Sequence, residues 1–177
     1  MTTQQAQGVA FTVRVDGVET VNNVLALLRA RGENLAKPLG EIGAMMLTST
    51  QRRFETETDP DGRRWKLLSA ETVLDRIGGR AKAHTKTGSL RKPAARKVGA
   101  IAILRQSARL FQSLTYRVGR GYVEIGTNAI YGRIHQLGGQ AGRGKKVTIP
   151  ARPYLGANTA DRQGALEIVN RYLAGAS

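Results

Sequence analysis

The sequence has no cysteine, few aromatic residues and no long hydrophobic run, and each shortage excludes a class of function. Without cysteine the chain forms no disulfide, no thiolate zinc site and no cysteine nucleophile. Aromatic residues make up 5% of the chain, which leaves few rings to stack on nucleic-acid bases. No segment approaches the roughly 18 apolar residues that span a bilayer, and the first residues do not resemble a signal peptide. We therefore expect a soluble protein with no membrane contact.

Acidic residues are also scarce in the middle of the chain, and the positive charge is concentrated there. The formal net charge is +15. Lysine and arginine outnumber acidic residues by eleven to four over 59–100 and by nine to one over 101–156, whereas both ends balance. A field of one sign attracts polyanions. Nucleic acid or an acidic face of a partner protein is the expected complement, and a solubilising surface is the alternative.

Hydrophobic residues make up 41% of the 177 positions, enough for one domain over residues 1–177. Apolar spacing predicts secondary-structure elements of three kinds. They are helices over 18–32, 35–54, 69–79, 101–114, 129–139 and 158–175, strands over 9–17 and 145–150, and a hairpin over 115–127. This order is typical of an α+β domain with long N-terminal helices packed on a small antiparallel sheet, and with a C-terminal helix.

Several residues refine this prediction. Ser69 and Asn158 are predicted helix N-caps, the second with Asp161 at the N3 position. In the C-terminal helix, Leu166, Val169 and Leu173 are expected to face the core. Gly40 and Gly43 weaken an isolated helix, so a neighbouring element is expected to pack closely against them. The methionines are expected to fill the core.

Residues 80–99 form the most basic segment. The segment is rich in lysine and arginine, has no acidic residue and has almost no large apolar side chain. Such a composition does not bury a core. It predicts an extended, mobile basic arm.

A near-match to a phosphate-binding loop lies at Gly139–Lys145, where the spacing of GxxxxGK is present. Lys146 stands where a serine or threonine would hold magnesium. The run is also predicted to follow a helix and to enter a strand, the reverse of the order that such a loop requires. We interpret it as a basic glycine turn.

The remaining candidates for chemistry lack partners. His84 and His135 have no carboxylate nearby in sequence, and Glu124 is the only acidic residue over 101–156. A histidine bonded within a helix–sheet interface and an ion-paired glutamate are therefore expected. Asp59 and Asp61 lie in a DPDG turn, where they are expected to form the turn. The sequence predicts no catalytic residues, no metal site and no cofactor.

Several motifs follow one another along the chain. They are Phe54 at the end of a long helix, DPDG before Trp65, VEIGT at 123–127, YGRIHQLGG at 131–139 and VTIPARPYLG at 147–156. In this order they resemble the phage virion morphogenesis and tail-completion family, the tail protein S group of tailed bacteriophages. The resemblance spans about residues 35–173 and is strongest over 122–156. One departure is Ser107-Ala108-Arg109-Leu110, where the family tends to have Thr-Gly-x-Leu.

The resemblance implies a non-enzymatic virion protein that completes the tail or joins it to the head at the neck. It implies a homo-oligomeric ring around the genome path, in contact with the tail tube and the head–tail connector, after assembly in the host cytoplasm. A basic surface in such a ring suits nonspecific phosphate contacts to genomic DNA or docking on an acidic neighbour. A free sequence-nonspecific nucleic-acid-binding protein is the alternative, and a nuclease using Asp59 and Asp61 is a third.

Two sets of residues are the predicted contact sites. The subunit or partner interface comprises Tyr131, His135, Pro150, Arg152, Pro153 and Tyr154. The residues expected to face a polyanion or partner are Arg91, Lys92, Arg96, Lys97, Arg143, Lys145 and Lys146, with a solvated rim as the alternative. Arg152, held between two prolines, is expected to bind a carboxylate of a neighbouring subunit in bidentate geometry. Its replacement is then expected to spare folding and to prevent assembly.

Overall fold

The computed structural model describes residues 35–174 together with Asn22, Leu25 and Ala26, which are helical. The predicted strand 9–17 and most of the predicted helix 18–32 lie outside the described residues. The described helices are α1 (Ala36–Thr56), α2 (Ala70–Arg76), α3 (Arg80–Ala83), α4 (Lys92–Gly99), α5 (Arg109–Gln112), α6 (Gly132–Leu137) and α7 (Thr159–Leu173). The described strands are β1 (Leu114–Gly119), β2 (Tyr122–Thr127), β3 (Gly139–Ala141) and β4 (Val147–Ile149). This mixture of helices and small antiparallel sheets confirms the α+β class.

Helix α1 packs against both the β1–β2 hairpin and helix α7. Strands β1 and β2 pair antiparallel from Leu114 opposite Thr127 to Gly119 opposite Tyr122. A two-residue turn joins them, and Gly121 supplies its positive φ of 84°. The hairpin predicted over 115–127 is therefore confirmed.

Gly43 allows α1 to approach this sheet closely. A Cβ atom at Gly43 would overlap the ring of Tyr116, whereas a Cβ at Gly40 would meet no described residue within 4 Å. The predicted close packing is therefore confirmed at Gly43, while at Gly40 no described residue provides it.

Two hydrophobic clusters hold α1, the β1–β2 hairpin and α7 together. The larger one joins the end of α1 to the chain around β1 and to the segment after β4, and its buried members are Phe54, Trp65, Ile103, Leu110, Leu114, Tyr154 and Leu155. Phe54 lies at its centre, with ring centroids 5.4 Å from Trp65 and 5.2 Å from Tyr154. The smaller cluster lies between α1 and α7, around Ile42 and Val169.

The helix starts and the methionine core are largely as predicted. Ser69 accepts a hydrogen bond from the Thr72 N–H at the start of α2. Asn158 and Asp161 form a reciprocal capping box at the start of α7. Met46 packs in the smaller cluster. Leu173 was expected to face the core with Val169, but it is 37% exposed in the last turn of α7, so that prediction is wrong.

The helix predicted over 101–114 is wrong for most of its length. Only Arg109–Gln112 is helical, and Leu104 and Ala108 have positive φ angles of 60° and 54°. The Ile103 N–H bonds the carboxylate of Glu57 at 2.6 Å instead of a helical carbonyl. The chain folds back sharply here because Ile103 and Leu110 both enter the larger cluster.

Residues 80–99 are also more ordered than an extended arm. They contain α3 and α4, which are joined by a turn that the His84–Leu90 bridge closes. Ile77, Ala83 and Ala94 form a small core of their own. The larger apolar side chains of this core come from flanking residues, since Leu74 and Ile101 also pack against it. The extended-arm prediction is therefore corrected.

Candidate assembly site

The segment that follows β4, residues 150–156, lies at the centre of the fold. Gln136 of α6 binds it through three hydrogen bonds. Its Oε1 accepts from the Tyr154 and Leu155 N–H groups at 2.9 and 3.0 Å, and its Nε2 donates to the Leu155 carbonyl at 3.0 Å. One amide side chain therefore satisfies three buried backbone groups, which links the IHQ motif to the PYL motif.

Arg53 holds the same segment from the other side. Its Nη1 donates to the Tyr154 and Gly156 carbonyls at 3.0 and 2.8 Å. Its Nη2 forms a buried ion pair with Asp161 at 2.6 Å. Burial lowers the pKa of Arg53, and the Asp161 carboxylate opposes that shift. The ion pair joins α1 to α7, and the hydrogen bonds of Arg53 join both helices to residues 154–156. The charges of this buried pair are matched, as a stable buried ion pair requires. We call this arrangement around 150–156, held by Gln136 and Arg53, the clasp.

Two aromatic side chains complete the clasp. The Trp65 indole N–H donates to the Pro153 carbonyl at 2.8 Å. The Tyr154 hydroxyl donates to the Gly132 carbonyl at 3.1 Å, and burial raises its pKa. Each of these rings packs apolar surface in the clasp, and its polar group satisfies a backbone carbonyl.

The side chain of Arg152 is buried and does not face a neighbouring subunit. The residue is 4% exposed. Its Nε and Nη2 donate to the Lys66 and Leu67 carbonyls at 2.8 and 3.1 Å. The expectation of a bidentate carboxylate contact at the surface is therefore corrected: this guanidinium ties the clasp to the segment that precedes α2. Tyr154 is fully buried as well, so its side chain does not face a partner either.

The other predicted interface residues lie nearer the surface. Tyr131 is exposed and His135 is half-buried, with their ring centroids 6.0 Å apart. Pro150 and Pro153 are half-buried. The His135 carbonyl accepts from the Arg152 N–H at 2.7 Å, so α6 does lie against the clasp.

His135 departs from the satisfied histidine that was expected. Its Nδ1 is buried and has no hydrogen-bond partner among the described residues. Burial and then the positive charge of Arg152 lower its pKa. The folded chain therefore favours the neutral imidazole.

The glycine-rich turn forms a second small hairpin. Strands β3 and β4 pair antiparallel with Gly139 opposite Ile149, and a short 3-10 turn at Arg143–Lys145 joins them. The run follows α6 and enters β4. The interpretation of this run as a basic glycine turn is confirmed, and its order, from a helix into a strand, is the reverse of that in a phosphate-binding loop.

The predicted basic residues are all exposed, but they lie on two units of the fold. Arg91, Lys92, Arg96 and Lys97 lie at or within α4, whereas Arg143, Lys145 and Lys146 lie at the tip of the β3–β4 hairpin.

The acidic candidates have the structural roles that were expected. Arg117 and Glu124 lie opposite each other on β1 and β2 and form an ion pair at 3.3 Å. The Asp59 carboxylate accepts from the Arg63 N–H within the DPDG turn at 2.8 Å. This turn borders an open cleft of about 650 Å³ beside the start of α7, lined by arginines as well as carboxylates. Within residues 35–174, no group of three or more potential ligands is placed to bind a metal ion.

Sequence reasoning missed the residues that build the clasp. Arg53, Trp65 and Gln136 were not proposed as site residues, although each donates a side-chain hydrogen bond to the backbone of residues 153–156. A weak signal was available for one of them: Arg53 is a charged residue directly beside Phe54, on the apolar side of a predicted helix. No local pattern marks Gln136, because its partners lie 18 and 19 residues away.

The arrangement is that of a structural clasp with an exposed helix and hairpin beside it, and the similarity of the chain to known proteins agrees with this. The model of the phage virion morphogenesis family matches residues 16–174. This chain belongs to that family. A virion-associated, structural phage role follows from this membership. In the described ranges, no helix is long and apolar enough to cross a membrane.

Two relatives are similar over parts of the chain. The "Putative capsid assembly protein G" of Escherichia phage Mu is 28% identical over 137 residues, which cover 76% of this chain and 77% of the relative. The "Mu-like prophage FluMu G protein 2" of Haemophilus influenzae is 44% identical over 63 residues, which cover 36% of this chain and 46% of the relative. No solved structure matches the chain.

Proposed function

We propose that this member of the virion morphogenesis family completes the tail or joins it to the head at the neck, without catalysis. The observation that supports this function is the family match over residues 16–174. The site agrees with it, since the strongest motifs form a rigid clasp whose polar groups bind backbone. In this proposal the protein is assembled in the bacterial host cytoplasm and resides in the tail or neck of the virion.

The protein acts as a homo-oligomeric ring around the genome path, in contact with the tail tube, the head–tail connector and genomic DNA. Exposed apolar side chains beside the clasp support a contact between subunits. Ile130 is 89% and Leu137 61% exposed, at the two ends of α6, with Tyr131 between them in sequence. Apolar residues clustered in this way are typical of interaction sites. Tyr131 and His135 are then the members of the predicted interface set that border this contact.

Sedimentation and electron microscopy of the purified protein, alone and with tail tubes, test the proposal. We expect rings or protein bound at the tube end. A strict monomer that ignores tails and binds free DNA tightly would support the free nucleic-acid-binding alternative instead. Metal-dependent DNA cleavage that is lost in Asp61→Ala would support a nuclease.

A matched pair of variants tests the subunit contact. Ile130→Asp combined with Leu137→Asp is expected to abolish rings while the protein remains folded, because both side chains are exposed. Leu90→Asp combined with Val98→Asp makes the same charge change at exposed apolar residues elsewhere, and is expected to leave rings intact. Rings that survive the first pair and disappear in the second would place the contact on α4 and its preceding turn.

A further inference from the structure

Two exposed units carry positive charge that nothing in the described chain compensates. We name them the basic helical unit, residues 77–101, and the basic hairpin, residues 139–149. All their lysine and arginine residues are exposed: Arg80, Lys82, Lys86, Arg91, Lys92, Arg96 and Lys97 in the first, and Arg143, Lys145 and Lys146 in the second. No acidic residue occurs between Asp75 and Glu124 or between Glu124 and Asp161. Every ion pair within residues 35–174 involves residues outside both units.

The basic helical unit has a closed base. Arg76, just before it, donates through Nη1 to the carbonyl of Ala102, just after it, at 3.0 Å. Its interior is the small cluster of Ile77, Ala83 and Ala94. The cations of this unit are therefore held on a folded support, and less conformational entropy is lost when they bind a partner.

The basic hairpin also has a closed base, which the clasp supports. Gly138 lies against the backbone of Ala151, where a Cβ would come within 2.8 Å of the Ala151 nitrogen. Gly139 and Ile149 then start the strand pairing, and residues 142–148 are all exposed. The clasp thus fixes the base while the three cations project at the tip.

The two bases are connected through residues 66–76. Arg152, just after the hairpin, bonds the Lys66 and Leu67 carbonyls. The chain then reaches Ser69, the N-cap of α2. This helix has seven residues, so it spans about 10 Å and ends at Arg76, the base of the basic helical unit. The pKa of Arg152 is lowered by burial and then by the charge of Arg76, which agrees with this proximity.

We propose that the basic helical unit and the basic hairpin together form one two-part surface that binds the phosphate backbone of double-stranded DNA, whatever its sequence. This inference deepens the proposed function and rests on it, since a ring around the genome path faces DNA. Exposed lysines and arginines on closely spaced supports suit phosphate contacts. An acidic protein partner fits less well, because protein interfaces are enriched in aromatic anchors and neither unit contains phenylalanine, tyrosine or tryptophan.

The test is equilibrium binding to two DNA duplexes of unrelated sequence, by fluorescence anisotropy over a range of salt concentrations. We compare three variants that each remove three exposed cations. One changes Arg143, Lys145 and Lys146 to Gln, another changes Lys92, Arg96 and Lys97 to Gln, and the control changes Lys37, Arg52 and Arg120 to Gln. Circular dichroism and thermal unfolding check that each variant is folded, which is expected because all nine residues are exposed.

The wild type is expected to bind both duplexes equally, with an affinity that falls steeply as salt rises. Each test variant should weaken binding by about tenfold or more and reduce the slope of log affinity against log salt by about 0.9 for each phosphate that the variant no longer neutralises. The control should change the slope by less than the value for about one phosphate. Equally weakened binding in all three variants, or unchanged binding in the two test variants, would overturn the two-part surface.

Ring formation and tail binding are measured on the same preparations. Rings that bind tail tubes but not DNA would overturn this inference and leave the proposed role in tail completion or head–tail joining standing, without its contact to genomic DNA. DNA binding without rings or tail binding would do the reverse. Test variants that bind DNA normally but no longer bind the connector or tail tube would assign the surface to a protein partner.

Discussion

Gln136 satisfies three buried backbone groups of residues 154–155 with one side chain. At the scale of single residues, such polar contacts do what apolar packing cannot do, because they fix the direction of an irregular segment. Arg152 acts in the same way on the carbonyls of Lys66 and Leu67. Both side chains are buried, so their removal leaves backbone groups without partners and without water.

Gln136→Leu is expected to be strongly destabilising. The substitution retains volume but leaves two N–H groups and one carbonyl unpaired, at about 1–3 kcal/mol for each group. Urea unfolding gives the change in the free energy of unfolding. Gln140→Leu, on exposed β3, is the matched control and should change it little. Equal effects of the two variants would show that Gln136 does not hold the clasp.

His135 is expected to make stability depend on pH. Its folded pKa is lowered by burial and by Arg152, so the unfolded chain binds the proton more readily. The stability that neutral His135 contributes is therefore present above its unfolded pKa of about 6.5 and is lost as pH falls through the lowered folded value. Thermal unfolding of wild type and His135→Gln, measured from neutral to mildly acidic pH, should show a smaller decrease for the variant. Parallel curves would contradict this.

At the scale of elements, tertiary contacts overrode local patterns in two segments. The apolar spacing of 101–114 is helical, yet Glu57 takes the Ile103 N–H and the chain turns. Residues 80–99 have few large apolar side chains, yet two short helices form because Ala83 and Ala94 pack with Ile77 from just outside the segment. By contrast, α1, α7 and the β1–β2 hairpin were predicted from sequence. The periodicity of α1, the capping box of α7 and the alternation of the hairpin strands all agree with the packing.

Two glycines of α1 are expected to respond to alanine in opposite directions. Gly43→Ala would drive a Cβ into the Tyr116 ring, so the helix must move off the sheet, and stability should fall by about 1–3 kcal/mol. Gly40→Ala meets no described residue within 4 Å and should add up to about 1 kcal/mol through helix propensity. Chemical denaturation measures both. A stabilised Gly43→Ala variant would show that α1 does not pack tightly on β1.

The basic helical unit is expected to unfold independently of the body. Ala94→Glu places a charge in its small core, whereas Ala95→Glu places the same charge on its surface. Hydrogen exchange should show reduced protection over 80–99 in the first variant only, with α1 and α7 unaffected. Reduced protection in α1 as well would make this unit part of the main cooperative core.

At the scale of the whole molecule, Arg53 connects parts of the chain that are far apart in sequence. It bonds the Tyr154 and Gly156 carbonyls and pairs with Asp161, over separations of 101 to 108 residues. The fold thus closes around one buried guanidinium, with the C-terminal helix, the clasp and α1 all joined at that point. The basic helical unit and the basic hairpin are not among the parts that Arg53 joins.

Arg53→Met is expected to lower the free energy of unfolding by about 3–5 kcal/mol, because it leaves the Asp161 carboxylate buried without its cation. Arg52→Met changes the adjacent exposed residue and is expected to have little effect. Denaturant unfolding with a single shared transition measures both. Comparable small decreases in the two variants would show that the buried pair does not link the molecule.

The sequence by itself determined the α+β class, the helices and hairpin that have clear caps and periods, the basic middle of the chain and the family resemblance. These are properties of neighbouring residues, for which capping, turn chemistry and charge suffice. Only the tertiary structure decided that the IPARPYLG segment is an internal clasp, because Arg53, Gln136 and Arg152 act on partners far away in sequence. It also placed two separate basic units beside each other, since the closeness of their bases depends on how Arg152 and α2 pack and not on sequence spacing.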